Sequence, residues 1–352
     1  MDKADTGLPD SACDSANAAL ADSHGVHSAM PQSHPADPPW SAGGVIPGLT
    51  GVPAFSHSLP DPSPIPVVIA VPHAGRAYSA QVLGAMRHPQ IAAPRLEDRL
   101  IDLIGLEVAR ATGAGILIAH APRAMIDLNR GPDDIDWDMI VGGRVDGHEG
   151  FPAAKKAAPS AIHRARSGLG LVPRRLPALG DVWRSRLEPD ELAARINNVH
   201  VPYHEALGTM LEAVCARWGA VLLIDLHSMP PLASAGPGDV PPRLVVGDRF
   251  GAACDGTIVS AMFAALTESR WPVAHNRPYA GGYVLERHAR RHRGVHGLQL
   301  EIDRQAYLDG RLAEPGPGYA GVVDMLAGLV RRIAVTVAEC GRGRQHWRAA
   351  AE

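Results

Sequence analysis

Two histidines of this chain stand where apolar runs end, and a neutral imidazole in such a place is a candidate metal ligand or proton carrier. His73 follows the run IPVVIAVP, and His227 closes VLLIDLH beside Asp225 and Ser228. Strand ends of an open α/β sheet meet at a common crevice, so two histidines 154 positions apart in sequence still converge there. An acidic pair, Glu97-Asp98, opens the helical pattern after the first run and is placed to turn into the same crevice. Two imidazoles and one carboxylate suit a catalytic zinc, which keeps a fourth position for water and lowers its pKa for hydrolysis. On residue type alone, Glu97 and Asp98 are equivalent as the third ligand.

Other patterns point away from competing chemistries. The four cysteines, at 13, 215, 254 and 340, form no CxxC pair, which argues against a disulfide framework or a zinc knuckle. His200 and His204 are spaced like half of an HExxH motif, but no Glu follows His200 and Pro202 interrupts the pattern, so a structural role is expected. Ser228 lies in no G-x-S-x-G elbow, which argues against a serine hydrolase.

The elements that must position these groups form an alternating series. Strand-like runs occur at 66–73, 115–120, 220–227, 243–247, 272–276 and 297–302, and helical periods at 95–111, 188–218, 252–269 and 318–338. Continuously apolar strands alternating with helices predict an α/β fold, a sheet covered on both faces. Before this series, the first 66 residues hold 11 of the 31 prolines, and a stretch so poor in sustained apolar pattern predicts a flexible tail over 1–62. One domain is expected over 63–345. Residues 134–187, rich in Gly, Pro and basic groups, read as a loop or lid over the site.

The 352 residues are 46% hydrophobic and 20% charged, ordinary for a globular protein. A net charge of -3 supplies no basic field for nucleic acid or an anionic membrane, and neither is an expected partner. No apolar run long enough to span a bilayer and no secretory leader is evident, so a cytoplasmic location is expected. The sequence specifies no oligomeric state.

An ordered set of motifs goes further. VPHAG at 71–75, the Glu97-Asp98 pair, PRAMIDLNRGPDD at 122–134, YHEAL at 203–207, DLHSMP at 225–230, VVGDRFGAACD at 245–255, NRPYAGGY at 276–283 and GVHGLQLEIDRQAY at 294–307 resemble the N-formylglutamate amidohydrolase (deformylase) family. The resemblance covers about residues 64–335. It implies a mixed, mostly parallel sheet flanked by helices, of the zinc carboxypeptidase-like (phosphorylase/hydrolase-like) type. It also implies one Zn2+ per chain, or another divalent metal, held by His73, His227 and an acid, with Asp98 preferred over Glu97 for its spacing to Arg123. By the same resemblance, Glu301 is the base toward the attacking water and Arg123 polarises the scissile carbonyl. Asn129, Arg130 and Arg277 hold substrate carboxylates, and Gly281 and Gly282 line the formyl pocket. The implied partner is a small N-formyl or other N-acyl amino acid, and the implied activity is hydrolysis of N-formyl-L-glutamate to formate and the amino acid. The same machinery would serve an acetyl or succinyl derivative. A non-catalytic binding relative is the reading against which the intact set of His73, Asp98, His227, Arg123 and Glu301 argues.

Overall fold

In chain order the strands are β1 (Trp40–Val45), β2 (Pro53–Ser58), β3 (Val67–Val71), β4 (Gly115–Ala119), β5 (Arg175–Leu176), β6 (Gly180–Asp181), β7 (Val221–Met229), β8 (Leu244–Gly247), β9 (Val273–His275) and β10 (Val295–Asp303). The helices are α1 (Ala80–Ala85), α2 (Pro89–Leu96), α3 (Ile101–Thr112), α4 (Pro189–Arg195), α5 (Val201–Trp218), α6 (Gly256–Glu268), α7 (Tyr283–His288) and α8 (Tyr319–Ala351). This computed structural model describes residues 39–143, 168–234, 236, 238 and 240–351. Eight strands form a mixed sheet in the order β1-β2-β4-β3-β7-β10-β8-β9, whose central four, β4-β3-β7-β10, run parallel. The expected α/β architecture is observed.

Strand periodicity divides the apolar residues between two cores. Val67, Ile69 and Val71 of β3, Leu222, Ile224 and Leu226 of β7, and Leu298, Leu300 and Ile302 of β10 face α3, α6 and α8. Val68 and Ala70, Leu117 and Ala119, and Val221 and Leu223 point the other way, toward α5. Each fully buried Val, Leu or Ile contributes roughly 1.5–3 kcal/mol relative to exposure. Along the second face this apolar row gives way, near the carboxyl ends of β7 and β10, to Asp225, His227, Gln299 and Glu301, all buried. Buried polar side chains forgo the hydrophobic gain and need bonded partners, so four of them in register mark where stability yields to another requirement.

The tail expected over 1–62 is corrected from Trp40 onward. β1 and β2 pair antiparallel, and β2 pairs in turn with β4, placing Phe55 opposite Ala119. Phe55 is buried and meets Tyr203 of α5 edge-on, with ring centroids 5.8 Å apart, and Ile46 and Ala54 are fully enclosed. A few apolar anchors and a ladder on an existing sheet offset the ordering entropy, although the average composition of the segment does not register them. Residues 1–38 lie outside those described. Phe55→Ala should therefore lower stability by about 3–5 kcal/mol. Urea unfolding checks this, and a loss below about 1 kcal/mol would mean that the hairpin does not belong to the core.

Three further expectations change in detail. The helix placed at 95–111 is two helices: α2 ends at Leu96, residues 97–100 form a turn with Leu100 at φ 58°, and α3 begins at Ile101. Glu97 and Asp98 are therefore not residues of a helix first turn. The period at 188–218 is one rod from α4 to α5, joined through a π-helical turn at Ile196–His200. Pro202 lacks a backbone N–H, and the wider turn just before it accommodates that loss. Within 134–187, Leu171 is bonded on both sides: its carbonyl accepts from Asp127 N at 2.7 Å and its N–H donates to the Asp134 carbonyl at 2.6 Å. Residues 144–167 of that expected lid lie outside the described residues. No helix among the described residues is long and apolar enough to cross a membrane.

Candidate metal centre

β3 ends at Val71, and the following Pro72-His73 turn brings His73 beside His227 of β7, ring centroids 4.7 Å apart. The Asp98 N–H donates to the His73 carbonyl at 2.9 Å, which holds the 97–100 turn against the same crevice. Asp98 Oδ2 lies 3.0 Å from His227 Nδ1 and 3.7 Å from His73 Nδ1. One ligand atom from each of the three residues lies within 4.8 Å of the others, and all three are buried. His73 Nδ1 has no hydrogen-bond partner despite its burial. A tetrahedral ion with ligands at about 2.0–2.1 Å separates them by roughly 3.3 Å, so this set needs only small adjustments to hold zinc.

Glu97 does not join this cluster. It is fully buried on the other side of the turn, where Arg99 Nη1 donates to its Oε2 at 3.4 Å. Burial raises its pKa, against the pull of Arg76 and Arg99. Consecutive residues with extended backbone project to opposite sides, so one acid of the pair enters the crevice and the other leaves it.

Each histidine is held from behind by a second carboxylate. His73 Nε2 donates to Asp127 Oδ1 at 2.7 Å, and His227 Nε2 lies 3.0 Å from Asp225 Oδ2. A carboxylate accepts hydrogen bonds, so these contacts place the proton on Nε2 and leave the Nδ1 lone pairs facing Asp98. Asp225, two residues before His227, is the acid that the sequence offers for orienting a metal-binding histidine or capping the strand end, whereas Asp127 was legible only as part of the DLNR motif. Asp127→Asn and Asp225→Asn should each weaken zinc binding about 10- to 100-fold with the fold retained. Competition with a chromogenic chelator measures this, and affinities within twofold of the parent would count against the assignment.

Two guanidiniums complete the charge pattern. Arg123 Nε donates to Asp127 Oδ2 at 2.9 Å while its side chain stays 23% exposed. Arg304 donates to Asp98 Oδ1 at 3.2 Å and to Ser228 Oγ at 3.1 Å, leaving Asp98 Oδ2 to the histidines. Arg304 thus pairs with Asp98. Glu301 lies opposite His227 in the β7–β10 ladder and accepts at Oε1 from Gln299 Nε2 at 2.8 Å. Burial raises its pKa, partly opposed by His227. Asp98, Asp127, Asp225 and Glu301 are four buried carboxylates, and they outnumber the guanidiniums bonded to them by two. A divalent cation is the natural counterion for such an excess.

The remaining expected residues are placed as follows. Asn129 is buried, with Nδ2 donating to Gln299 Oε1 at 3.1 Å and to Asp225 Oδ2 at 3.3 Å, and Oδ1 accepting from Val284 N at 2.9 Å. Both hydrogens of its amide are thus directed to groups of the protein. Arg130 donates from Nε to the Leu169 carbonyl and from Nη1 to the Asn129 carbonyl. Arg277 is exposed and precedes the cis-proline Pro278. Gly281 has φ 110°, and a Cβ on Gly282 would lie 2.4 Å from Asn129 Oδ1, so packing as well as any ligand requires glycine there. Tyr279, on the same loop, was not singled out from sequence. Its pKa is raised by burial and then by the charges of Glu301 and Asp98.

His200 and His204 are structural, as expected. His200 Nε2 donates to the Arg130 carbonyl at 2.9 Å, and His204 Nε2 to the Leu128 carbonyl at 3.0 Å. Both therefore fix the backbone of the DLNR segment. Burial lowers the His200 pKa to about 4, so the ring is neutral at pH 7.

The profile of the N-formylglutamate amidohydrolase family matches residues 65–308 of this chain. The chain is 25% identical to an N-formylglutamate deformylase of Pseudomonas aeruginosa over 292 residues, covering 80% of this chain and 95% of that protein. It is 26% identical to the N-formylglutamate deformylase of Pseudomonas putida, covering 70% and 82% of the two chains. The crystal structure of an N-formylglutamate amidohydrolase from Ralstonia eutropha JMP134 superposes with a TM-score of 0.69 at 32% identity, covering 81% of this chain and 98% of that one. With the family profile matched over residues 65–308 and the fold shared with the Ralstonia eutropha structure at 32% identity, the chain belongs to the N-formylglutamate amidohydrolase family.

Proposed function

We propose that this protein is a zinc-dependent amidohydrolase that cleaves the formyl amide of N-formyl-L-glutamate, or of a close N-acyl acidic amino acid. The observation that carries the proposal is the convergence of His73, Asp98 and His227, with Glu301 and Arg123 beside them, in a member of this family. His73 Nδ1, Asp98 Oδ2 and His227 Nδ1 would hold the metal. A zinc ion bound there supplies Lewis acidity, polarising the carbonyl and lowering the pKa of a water molecule.

The protein's own groups account for the rest of the reaction. Glu301, its pKa raised by burial, takes a proton from the attacking water as oxygen bonds to the formyl carbon. Arg123, fixed through Nε by Asp127, directs the other edge of its guanidinium toward the carbonyl oxygen and stabilises the developing oxyanion. Glu301 then delivers the proton to the departing nitrogen, the C–N bond breaks, and formate and glutamate are released. Arg130 and Arg277 carry the fixed positive charges for the two substrate carboxylates, and the Gly281-Gly282 backbone borders the small acyl group.

The test is formate release from N-formyl-L-glutamate by the zinc-loaded protein, with N-acetyl and N-succinyl glutamate as comparisons. Release should stop on zinc chelation and return when zinc is restored. Absence of formate release, or undiminished release from chelator-treated protein, would refute the proposal.

A further inference from the structure

The active-site arrangement contains a chain of side-chain amides whose direction is forced. At one end lie the backbone N–H groups of Gly282 and Val284, at the start of α7. The Gly282 N–H donates to Gln299 Oε1 at 3.1 Å, and the Val284 N–H to Asn129 Oδ1 at 2.9 Å. A backbone N–H only donates, so both amide oxygens are fixed and both amide nitrogens must point onward. Asn129 Nδ2 directs one hydrogen to Gln299 Oε1 and the other toward Asp225 Oδ2. Gln299 Nε2 donates to Glu301 Oε1 at 2.8 Å.

We infer that Gln299 and Asn129 are positioning residues that act through Glu301 and Asp225. This inference rests on the proposed role of Glu301 as base. Gln299 pins one carboxylate oxygen, which leaves Oε2 as the oxygen that exchanges the proton with water and the departing amine. Asn129 divides its two N–H groups between the base arm, through Gln299, and the ligand arm, through the Asp225 that holds His227. The loop carrying Arg277, Tyr279 and Gly281 ends at Gly282, so the placement of that loop and the aim of Glu301 are set by one network. The same network explains the close approach of Gly282 to Asn129, where a Cβ would meet Oδ1 at 2.4 Å. Well-aimed bases depend on such support, because small displacements of a reacting group cost large factors in rate.

The experiment compares the zinc-loaded full chain with Gln299→Met, Glu301→Gln and the double variant. Gln299→Met keeps the side-chain volume and removes the donor. It should lower kcat about 30-fold, with KM within about threefold and metal content unchanged. In the Glu301→Gln background the same substitution should cost no more than about twofold, because its effect passes through Glu301. A structural role alone would instead give losses that multiply. Gln299→Glu, which keeps both accepted bonds, is the second variant if the methionine form does not fold, and it too should lose kcat. A folded Gln299 variant with the parent kcat, or multiplicative losses in the double variant, would overturn the inference. A substrate-free readout separates it from the functional proposal: the Gln299 side-chain amide resonances, identified by their loss in Gln299→Met, should shift in Glu301→Ala. A parent protein inactive on N-formylglutamate would count against the function, whereas unshifted resonances would count against the relay.

Discussion

Glu301→Gln is expected to lower kcat about 10³-fold while KM and zinc content stay close to the parent values. The substitution is nearly isosteric, and the glutamine oxygen still accepts from Gln299 Nε2, so the packing of β10 against β7 is kept. What is lost is the group that takes and returns the proton. Zinc would still be held by His73, Asp98 and His227, and the guanidinium of Arg123 would still face the carbonyl, which accounts for residual turnover. Steady-state kinetics with metal analysis of the same preparation checks this. A kcat within tenfold of the parent would remove Glu301 from the reaction, and a parallel loss of zinc would make it a ligand or a support instead.

The second large effect is expected at His227. His227→Ala should weaken zinc binding on the order of 10³-fold and abolish measurable formate release, because a ligand is lost and Asp225 has no ring left to orient. Removal of the ring also leaves Asp98 and Asp225 facing a space without their shared partner, and both carboxylates are buried. Buried charges stripped of a partner are costly, so a lower thermal midpoint is expected alongside the metal loss. His275→Ala is the control: His275 is 42% exposed at the far edge strand β9 and should keep both zinc and activity. Metal content and activity retained in His227→Ala would overturn the ligand assignment.

Much of the framework was legible from local pattern. The runs that became β3, β4, β7 and β10 are continuously apolar because the central strands of a sheet covered on both faces bury every side chain. The hairpin of β1 and β2 was not legible. Its anchors are Ile46, Ala54 and Phe55, scattered among Gly, Pro and Ser, and their burial depends on the edge of β4 and on Tyr203, residues distant in sequence. The break between α2 and α3 was hidden for a similar reason, since the helical period continues across residues 97–100 while Leu100 adopts a left-handed backbone.

The candidate site shows the same division. Residue type and position were enough to single out His73 and His227, because metal ligation demands particular functional groups, whereas Glu301 and Arg123 entered through the resemblance of the motif set. Asn129 was read from its motif as a substrate clamp, and its place inside the amide network follows only from Gln299, Asp225 and Val284 arriving from other elements. Gln299 carried no signal of its own, since a lone glutamine in a strand is chemically unremarkable until its neighbours are known.

The sequence by itself therefore determined the alternation of strands and helices, the motif set and the groups able to bind a metal or move a proton, since these depend on composition and on periods of two to four residues. Tertiary structure decided between Glu97 and Asp98, the Nδ1 atoms that face the cluster and the carboxylates behind each histidine. It also decided the membership of residues 40–58 in the sheet. Each of these depends on the direction in which a side chain leaves the backbone and on what a remote segment presents to it, and neither is encoded within a short window of residues.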